Sequence, residues 1–174
     1  MRLMLLRHAK SEKAEPGMSD RVRGLNPRGR SDALRMGAYM GQHGLISDRA
    51  IISSARRTRE TWEGLVTGFS AQPPVSHDDR LYNAGPDAIL SVIRDSGRSA
   101  RMLLVIGHNP GLHESACRLI AAGDVEARER LNEGLPTTGL VVIDFAGDNW
   151  HALHFQSGRL ERFVTPRSLW VAAD

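Results

Sequence analysis

The sequence predicts a three-layer α/β/α sandwich around a mostly parallel sheet, and three observations carry that expectation. Leu3-Met4-Leu5-Leu6 and Met102-Leu103-Leu104-Val105-Ile106 are wholly apolar runs, the pattern of strands buried on both faces. Between and after them, short apolar runs alternate with stretches of helical periodicity, which argues for strand–helix–strand units. Both runs stop abruptly at a histidine: Arg7-His8 after the first, Gly107-His108 after the second. Ligands gather at the carboxyl ends of the strands in such sheets, so both histidines are presented where a site is expected.

Each element can be justified in order. After His8 a polar stretch from Ala9 to about Leu25 contains Pro16 and Gly17 and is long enough to be a function-bearing loop. Asn26-Pro27 then starts a helix, Asn as cap and Pro at the first helical position, which runs to near Gly44. Ala50 to Ser54 forms a short strand and leads into a second helix from Ala55 to about Phe69. Pro73-Pro74 breaks the chain before a short edge strand from Val75 toward Asp78-Asp79. Gly85-Pro86-Asp87 opens a third helix with Ile89, Leu90, Val92 and Ile93 inward. Gly111 to Ala122 is a fourth helix, and Val125 to Leu131 a short fifth. Leu140 to Phe145 and Trp150 to Phe155 read as a final strand pair, joined at Gly147-Asp148-Asn149. Thr165-Pro166-Arg167 lies in a tail.

The totals exclude several function classes. The 174 residues read as a single domain over 1–174, long enough to bury a substantial core. A net charge of +3, with basic residues dispersed, gives no footprint for nucleic acid. Lys10 and Lys13 are the only lysines; the other cations are arginine, suited to bidentate phosphate recognition. One cysteine, Cys117, falls in an apolar helical pattern and builds neither a disulfide framework nor a cysteine zinc site. No run approaches the roughly 18 apolar residues of a membrane helix, and no signal-peptide pattern opens the chain. A soluble, cytoplasmic monomer without membrane association is therefore expected.

Arg7, His8, Arg57 and His108 together suggest a chemistry. Two guanidinium forks can hold phosphoryl oxygens. One histidine can attack phosphorus and carry the group covalently, and the other can stabilise the charge that develops. A pair of histidines without a carboxylate or thiol makes a poor metal site. His43, His77, His113, His151 and His154 read as structural, with His113 nearest to a rim position. Tyr82 and Trp62 read as packing residues.

At these positions the chain resembles the histidine phosphatase superfamily. Arg7-His8-Ala9 matches its Arg-His-Gly or Arg-His-Ala signature, Ser53 and Thr61 frame Arg57 in a Ser-x-x-x-Arg-x-x-x-Thr segment, and Gly107-His108 matches its second histidine step. Arg23-Gly24-Leu25-Asn26-Pro27-Arg28-Gly29, Leu81-Tyr82-Asn83 and Gly107-His108-Asn109-Pro110-Gly111 are similar to the short SixA-type phosphohistidine phosphatases, and the resemblance spans residues 2 to about 145. It implies a phosphoglycerate mutase-like form of the sandwich and a cofactor-independent phosphatase in which His8 is the nucleophile and Arg7, Arg57 and His108 complete the phosphate pocket. Arg23 would contact the substrate's phosphate or its carrier. The implied partner is a phosphohistidine-bearing protein. A small phosphorylated metabolite, or a noncatalytic phosphate-binding role, is the alternative. Larger family members use a glutamate as general acid where Asn83 stands here, and asparagine cannot donate that proton. Glu12, Asp78 and Asp79 are the loop carboxylates that could replace it.

Overall fold

A computed structural model describes residues 1–171. Seven strands form one sheet in the order β3-β2-β4-β1-β6-β7-β5. The strands are β1 (Arg2–Arg7), β2 (Arg49–Ser53), β3 (Val75–Asp78), β4 (Met102–Gly107), β5 (Ile120–Gly123), β6 (Leu140–Asp144) and β7 (Gly158–Val164). The helices are α1 (Pro27–Gln42), α2 (Arg56–Val66), α3 (Pro86–Ser96), α4 (Gly111–Leu119), α5 (Val125–Glu133) and α6 (Pro166–Val171). β1, β2, β3 and β4 pair in parallel, β5 pairs in parallel with β7, and β6 runs antiparallel to both β1 and β7. The mostly parallel α/β sandwich expected from the apolar runs is thus the observed fold.

Alternation along the central strands makes the three layers. Leu3 and Leu5 of β1, with Leu103 and Val105 of β4, pack with Ile89, Val92 and Ile93 of α3 and Leu112 and Ala116 of α4. Met4 and Leu6, with Leu104 and Ile106, face the other side, against Met36 and Met40 of α1 and Trp62 and Leu65 of α2. A strand buried on both faces has no polar side to present, which is why these runs contain no charge. Among the described residues no helix is long and apolar enough to cross a membrane.

The C-terminal third departs from the expectations. The helix from Gly111 stops at Leu119, and Ile120–Gly123 is instead β5, paired with β7. Ile120-Ala121-Ala122 has good helix propensity, but pairing with an available strand edge outweighs a preference worth only tenths of a kcal/mol per residue (about 0.7 at most). Trp150 to Phe155 is not a strand. Trp150–Ala152 is a single 3-10 turn capped by Asn149, whose side chain accepts from His151 N at 3.0 Å. The Trp150 indole is buried and donates to Ala100 O at 2.7 Å. It lies so close to Gly97 that a Cβ there would meet its ring at 2.4 Å. The partner of β6 is β7, in which buried Leu160 alternates with exposed Arg159 and Glu161. The expected hairpin turn at 147–149 is therefore a longer connection. Pro166 opens α6 rather than a tail.

Candidate active site

Three adjacent parallel strands, β2, β4 and β1, end at the same edge of the sheet. Arg7 pairs in register with Gly107, so the residues that follow, His8 and His108, emerge side by side with ring centroids 5.3 Å apart. Both are buried, at 8% and 3% exposure. β2 ends at Ser53, and α2 starts three residues later and carries Arg57 in its first turn, 3% exposed. The four principal residues expected from the sequence are thus brought together. They line a cleft of about 990 Å³ with Arg23, Asp20, Asn83, Asn109 and the charged loop from Lys10 to Glu15.

The Ser53-x-x-x-Arg57-x-x-x-Thr61 spacing has a physical reading. Thr58 Oγ1 donates to the carbonyls of Ser53 and Ala55 at 2.6 and 2.7 Å, which ties the strand end to the helix start. Thr61 lies one turn beyond Arg57, and its hydroxyl accepts from Ala9 N at 2.9 Å while donating to Arg57 O. Ser53 Oγ lies 2.7 Å from His108 Nε2. The end of β2 and the first two turns of α2 therefore together reach the second histidine, aim Arg57 and anchor the backbone after His8. Gly29 does similar work for the other segment. A Cβ at Gly29 would stand 2.0 Å from Lys10 O, so only glycine lets α1 approach the chain that leaves His8. The N-cap holds as expected, with Asn26 Oδ1 accepting from Gly29 N at 2.8 Å.

The hydrogen bonds assign the ring tautomers. His8 Nδ1 sits 2.8 Å from Ala9 O, an acceptor only, so Nδ1 carries the proton and Nε2 the lone pair. Arg57 Nε donates toward that lone pair at 3.4 Å. Arg57 Nη2 lies 3.3 Å from His108 Nδ1, and a guanidinium can only donate. His108 Nδ1 is therefore the acceptor, and Nε2–H points to Ser53. Burial pushes the pKa of His8 down to about 3, helped by His108 and the two guanidinium groups, against the opposing bond to Ala9. Burial and then Arg57 lower that of His108 to about 4. Both rings are neutral at ordinary pH, which leaves His8 Nε2 free to attack.

Arg7 is less deeply buried. Its Nη1 donates to Leu135 O at 3.0 Å, and its buried Nε has no partner. Asn109 also donates to Leu135 O, at 2.9 Å, and its Oδ1 is buried without a partner. Thr138 is fully buried with φ +61° and an unpartnered hydroxyl, while its amide donates to the carbonyls of Arg7 and His8. A β-branched residue in the left-handed region is strained backbone of the kind that gathers at functional sites.

Asp20 has no sequence signal and proves central. Its Oδ2 accepts from Arg57 Nη2 at 2.9 Å and from the Tyr82 hydroxyl at 2.6 Å. Its Oδ1 accepts from Arg23 Nη2 at 2.7 Å, and its backbone carbonyl from Arg57 Nη1 at 2.8 Å. The Tyr82 hydroxyl, then Arg23 and Arg57, hold this carboxyl well below the usual carboxylate range. Arg23 lines the cleft and is held there by its bonds to Asp20. Tyr82, expected to be a packing residue, is part of this network, and its ring meets His108 edge-on at 5.4 Å. Trp62 does pack in the core.

The loop carboxylates divide. Glu12 lines the cleft, whereas Asp78 and Asp79 do not. Asp78 accepts from Arg80 at 2.8 Å, and Asp79 from Arg21 at 2.8 Å and from Ser54. Asn83 is at the cleft with φ +50°, a conformation asparagine tolerates. His113 faces Leu131 O at 2.7 Å and lies off the cleft.

Two guanidinium groups and two neutral histidines gathered at the carboxyl edge of a mostly parallel sheet make a set that can hold an anion such as a phosphoryl group. No family model matches the chain. An uncharacterized protein of Mycobacterium tuberculosis is 34% identical over 164 residues, covering 93% of this chain and all of the relative. The structure of the protein assigned as phosphohistidine phosphatase SixA in Agrobacterium tumefaciens is similar with a TM-score of 0.80 and 29% identity, over 95% of this chain and 97% of that one. That of the protein so assigned in Nakamurella multipartitia has a TM-score of 0.75 and 28% identity, over 95% of both chains. With these likenesses over nearly the whole chain, and with the site above, the protein belongs to the histidine phosphatase superfamily.

Proposed function

We propose that the protein is a phosphohistidine phosphatase that works through a covalent phosphoryl group on His8 Nε2. The observation that carries the reading is a neutral, oriented nucleophile with an asparagine where an acid would stand, Glu12 being the one of the three substitute carboxylates left at the cleft. His8 Nε2 bears its lone pair next to Arg57, while Asn83 stands where larger relatives hold an acid and Asp20 is kept ionised. Arg57 and Arg7 would hold the phosphoryl oxygens, the unpartnered Arg7 Nε among the donors. The pocket side of His108 gains a proton when the phosphoryl dianion binds and then donates to it.

The leaving group decides between substrates. An alkyl phosphate must expel an alkoxide, whose conjugate acid is about as weak as water, with a pKa near ~15.7. A proton delivered in the transition state contributes roughly 10²–10⁴-fold there. Phosphohistidine expels imidazole, whose ordinary pKa is about 6.5, so it needs no strong acid. The cleft is broad and rimmed by Lys10, Lys13, Arg30 and Arg56 alongside Glu12 and Glu15, which suits a phosphorylated side chain carried on a protein surface. The test is a comparison of kcat/KM for a phosphohistidine protein and a panel of alkyl phosphates. Preference for the P–N substrate is expected; efficient turnover of the alkyl esters, with none of phosphohistidine, would overturn the reading.

A further inference from the structure

Asp20 is out of place in a phosphate pocket. A carboxylate beside the arginine that grips a phosphoryl group repels that group, at a position where a neutral residue would not. Asp20 nevertheless takes the fork of Arg57 with its backbone carbonyl and Oδ2 together. Four donors fix its two carboxylate oxygens: Arg57 Nη2 and the Tyr82 hydroxyl on Oδ2, and Arg23 Nε and Nη2 on Oδ1. Its position is also informative. Arg57 is 3% exposed and the Asp20 side chain 43%, so the carboxylate bridges the buried group and the open cleft. Arg57 Nε faces His8 Nε2 and its Nη2 faces Asp20 Oδ2, so the nucleophile and this carboxylate are separated by the width of one guanidinium. Of the donors to Asp20, Arg57 Nη2 is the one that a bound phosphoryl group would draw toward itself, which opens Oδ2 to a donor from the substrate.

We propose that Asp20 is a specificity-determining residue that accepts a hydrogen bond from the distal ring N–H of the substrate's phosphohistidine. This rests on the phosphohistidine reading given above. A phosphorylated imidazole protonated on its distal nitrogen is a cation, and a carboxylate stabilises that form through a charge-assisted bond. As His8 Nε2 bonds to phosphorus, the P–N bond breaks and its electron pair stays on the substrate nitrogen. The ring departs as neutral imidazole, because the distal nitrogen keeps the proton that Asp20 holds. Water then takes the phosphoryl group from His8 and leaves as inorganic phosphate. Without the distal proton the ring would have to leave as an anion. The same carboxylate opposes an ester, whose phosphoryl dianion and departing oxygen carry only negative charge. Asp20 thus does by charge what a general acid would do by proton transfer, and only for a nitrogen leaving group.

The experiment compares wild-type protein with Asp20→Asn and Asp20→Glu on two substrates, a peptide bearing one phosphohistidine and phenyl phosphate, between about pH 5 and 9. Asp20→Asn should lower kcat/KM on the peptide by about tenfold or more, the worth of one hydrogen bond to a charged group. It should raise kcat/KM on phenyl phosphate, and the alkaline limb of the peptide profile should move to lower pH. Asp20→Glu, which keeps the charge, should restore part of the preference. Binding of inorganic phosphate to Asp20→Asn, no weaker than to wild type, shows that Arg57 and Arg23 remain in place. A variant in which both substrates change in the same direction, or in which peptide turnover does not fall, overturns the role of Asp20 and leaves the phosphatase reading standing. Wild-type protein that hydrolyses phenyl phosphate but not the peptide overturns both.

Discussion

Ser53 Oγ lies 2.7 Å from His108 Nε2, and that contact decides which nitrogen of His108 faces the cleft. Arg57 Nη2, on the other side of the ring, can only donate, so the Nδ1 lone pair points inward. In the proposed mechanism that nitrogen is where the second histidine takes up a proton when an anion binds.

Removing the Ser53 hydroxyl should loosen that orientation without emptying the site. Ser53→Ala is expected to lower kcat/KM on the order of fivefold, the worth of one neutral hydrogen bond of about 1 kcal/mol. Steady-state kinetics checks this. Wild-type kcat/KM in Ser53→Ala would show that the contact does not orient His108.

Arg57 joins His8, His108 and Asp20 through one guanidinium, so its loss should be severe and non-additive. Arg57→Ala is expected to lower kcat by about 10²–10³, the range for one lost oxyanion donor, and Arg57→Lys to recover little, since an ammonium cannot span the same fork. Combined with His108→Ala, the loss should fall well short of the product of the single losses. Turnover should survive a chelator, because the charge on the transferring group is met by side chains. Activity that a chelator abolishes and added Mg²⁺ or Zn²⁺ restores would contradict this.

Gly29 should tolerate no side chain. Its Cβ would press on Lys10 O, which is backbone and cannot swing away. Gly29→Ala is expected to cost about 1–3 kcal/mol by overpacking, read as a lower urea midpoint. KM should also rise, because Lys10 begins the loop that carries Asp20 and Arg23 to the cleft.

The two buried histidines make stability fall on acidification. An unfolded imidazole titrates near ~6.5, whereas in the fold His8 is lowered to about 3 and His108 to about 4. Between these values the unfolded chain holds more protons, so stability drops as pH falls from about 6.5 toward 4. Asp20 acts the same way further down, because its depressed pKa contributes stability that is lost as pH falls through the carboxylate range. Urea midpoints measured across this window should fall for the wild type and fall less steeply for His8→Gln. Parallel slopes would count against the burial of a neutral His8.

Much of this was legible in the chain and some was not, for physical reasons. β1 and β4 announce themselves because a strand buried on both faces admits only apolar residues, and Arg7, His8 and His108 are conspicuous because they end those runs. Arg57 is marked by Ser53 and Thr61, whose hydroxyls meet His108 and the amide of Ala9 on either side of it. Asp20 carries no such mark. It lies in a loop without periodicity, and its meaning depends on that loop folding back over Arg57. Tyr82 is hidden likewise, since an aromatic residue reads as packing until its hydroxyl finds a carboxylate. In β7 the alternation of Leu160 with Arg159 and Glu161 is a weak signal beside the aromatic Trp150 to Phe155 segment. There Trp150 serves to cover Gly97 and not to build a strand.

The most direct test of the account is to trap the phosphoryl group. Protein mixed with a labelled phosphohistidine peptide and quenched at alkaline pH should carry label that is stable to base, lost in acid and located on the Nε2 of His8, and His8→Ala should carry none. Label that persists in His8→Ala, or that maps to another residue in the wild type, would contradict it.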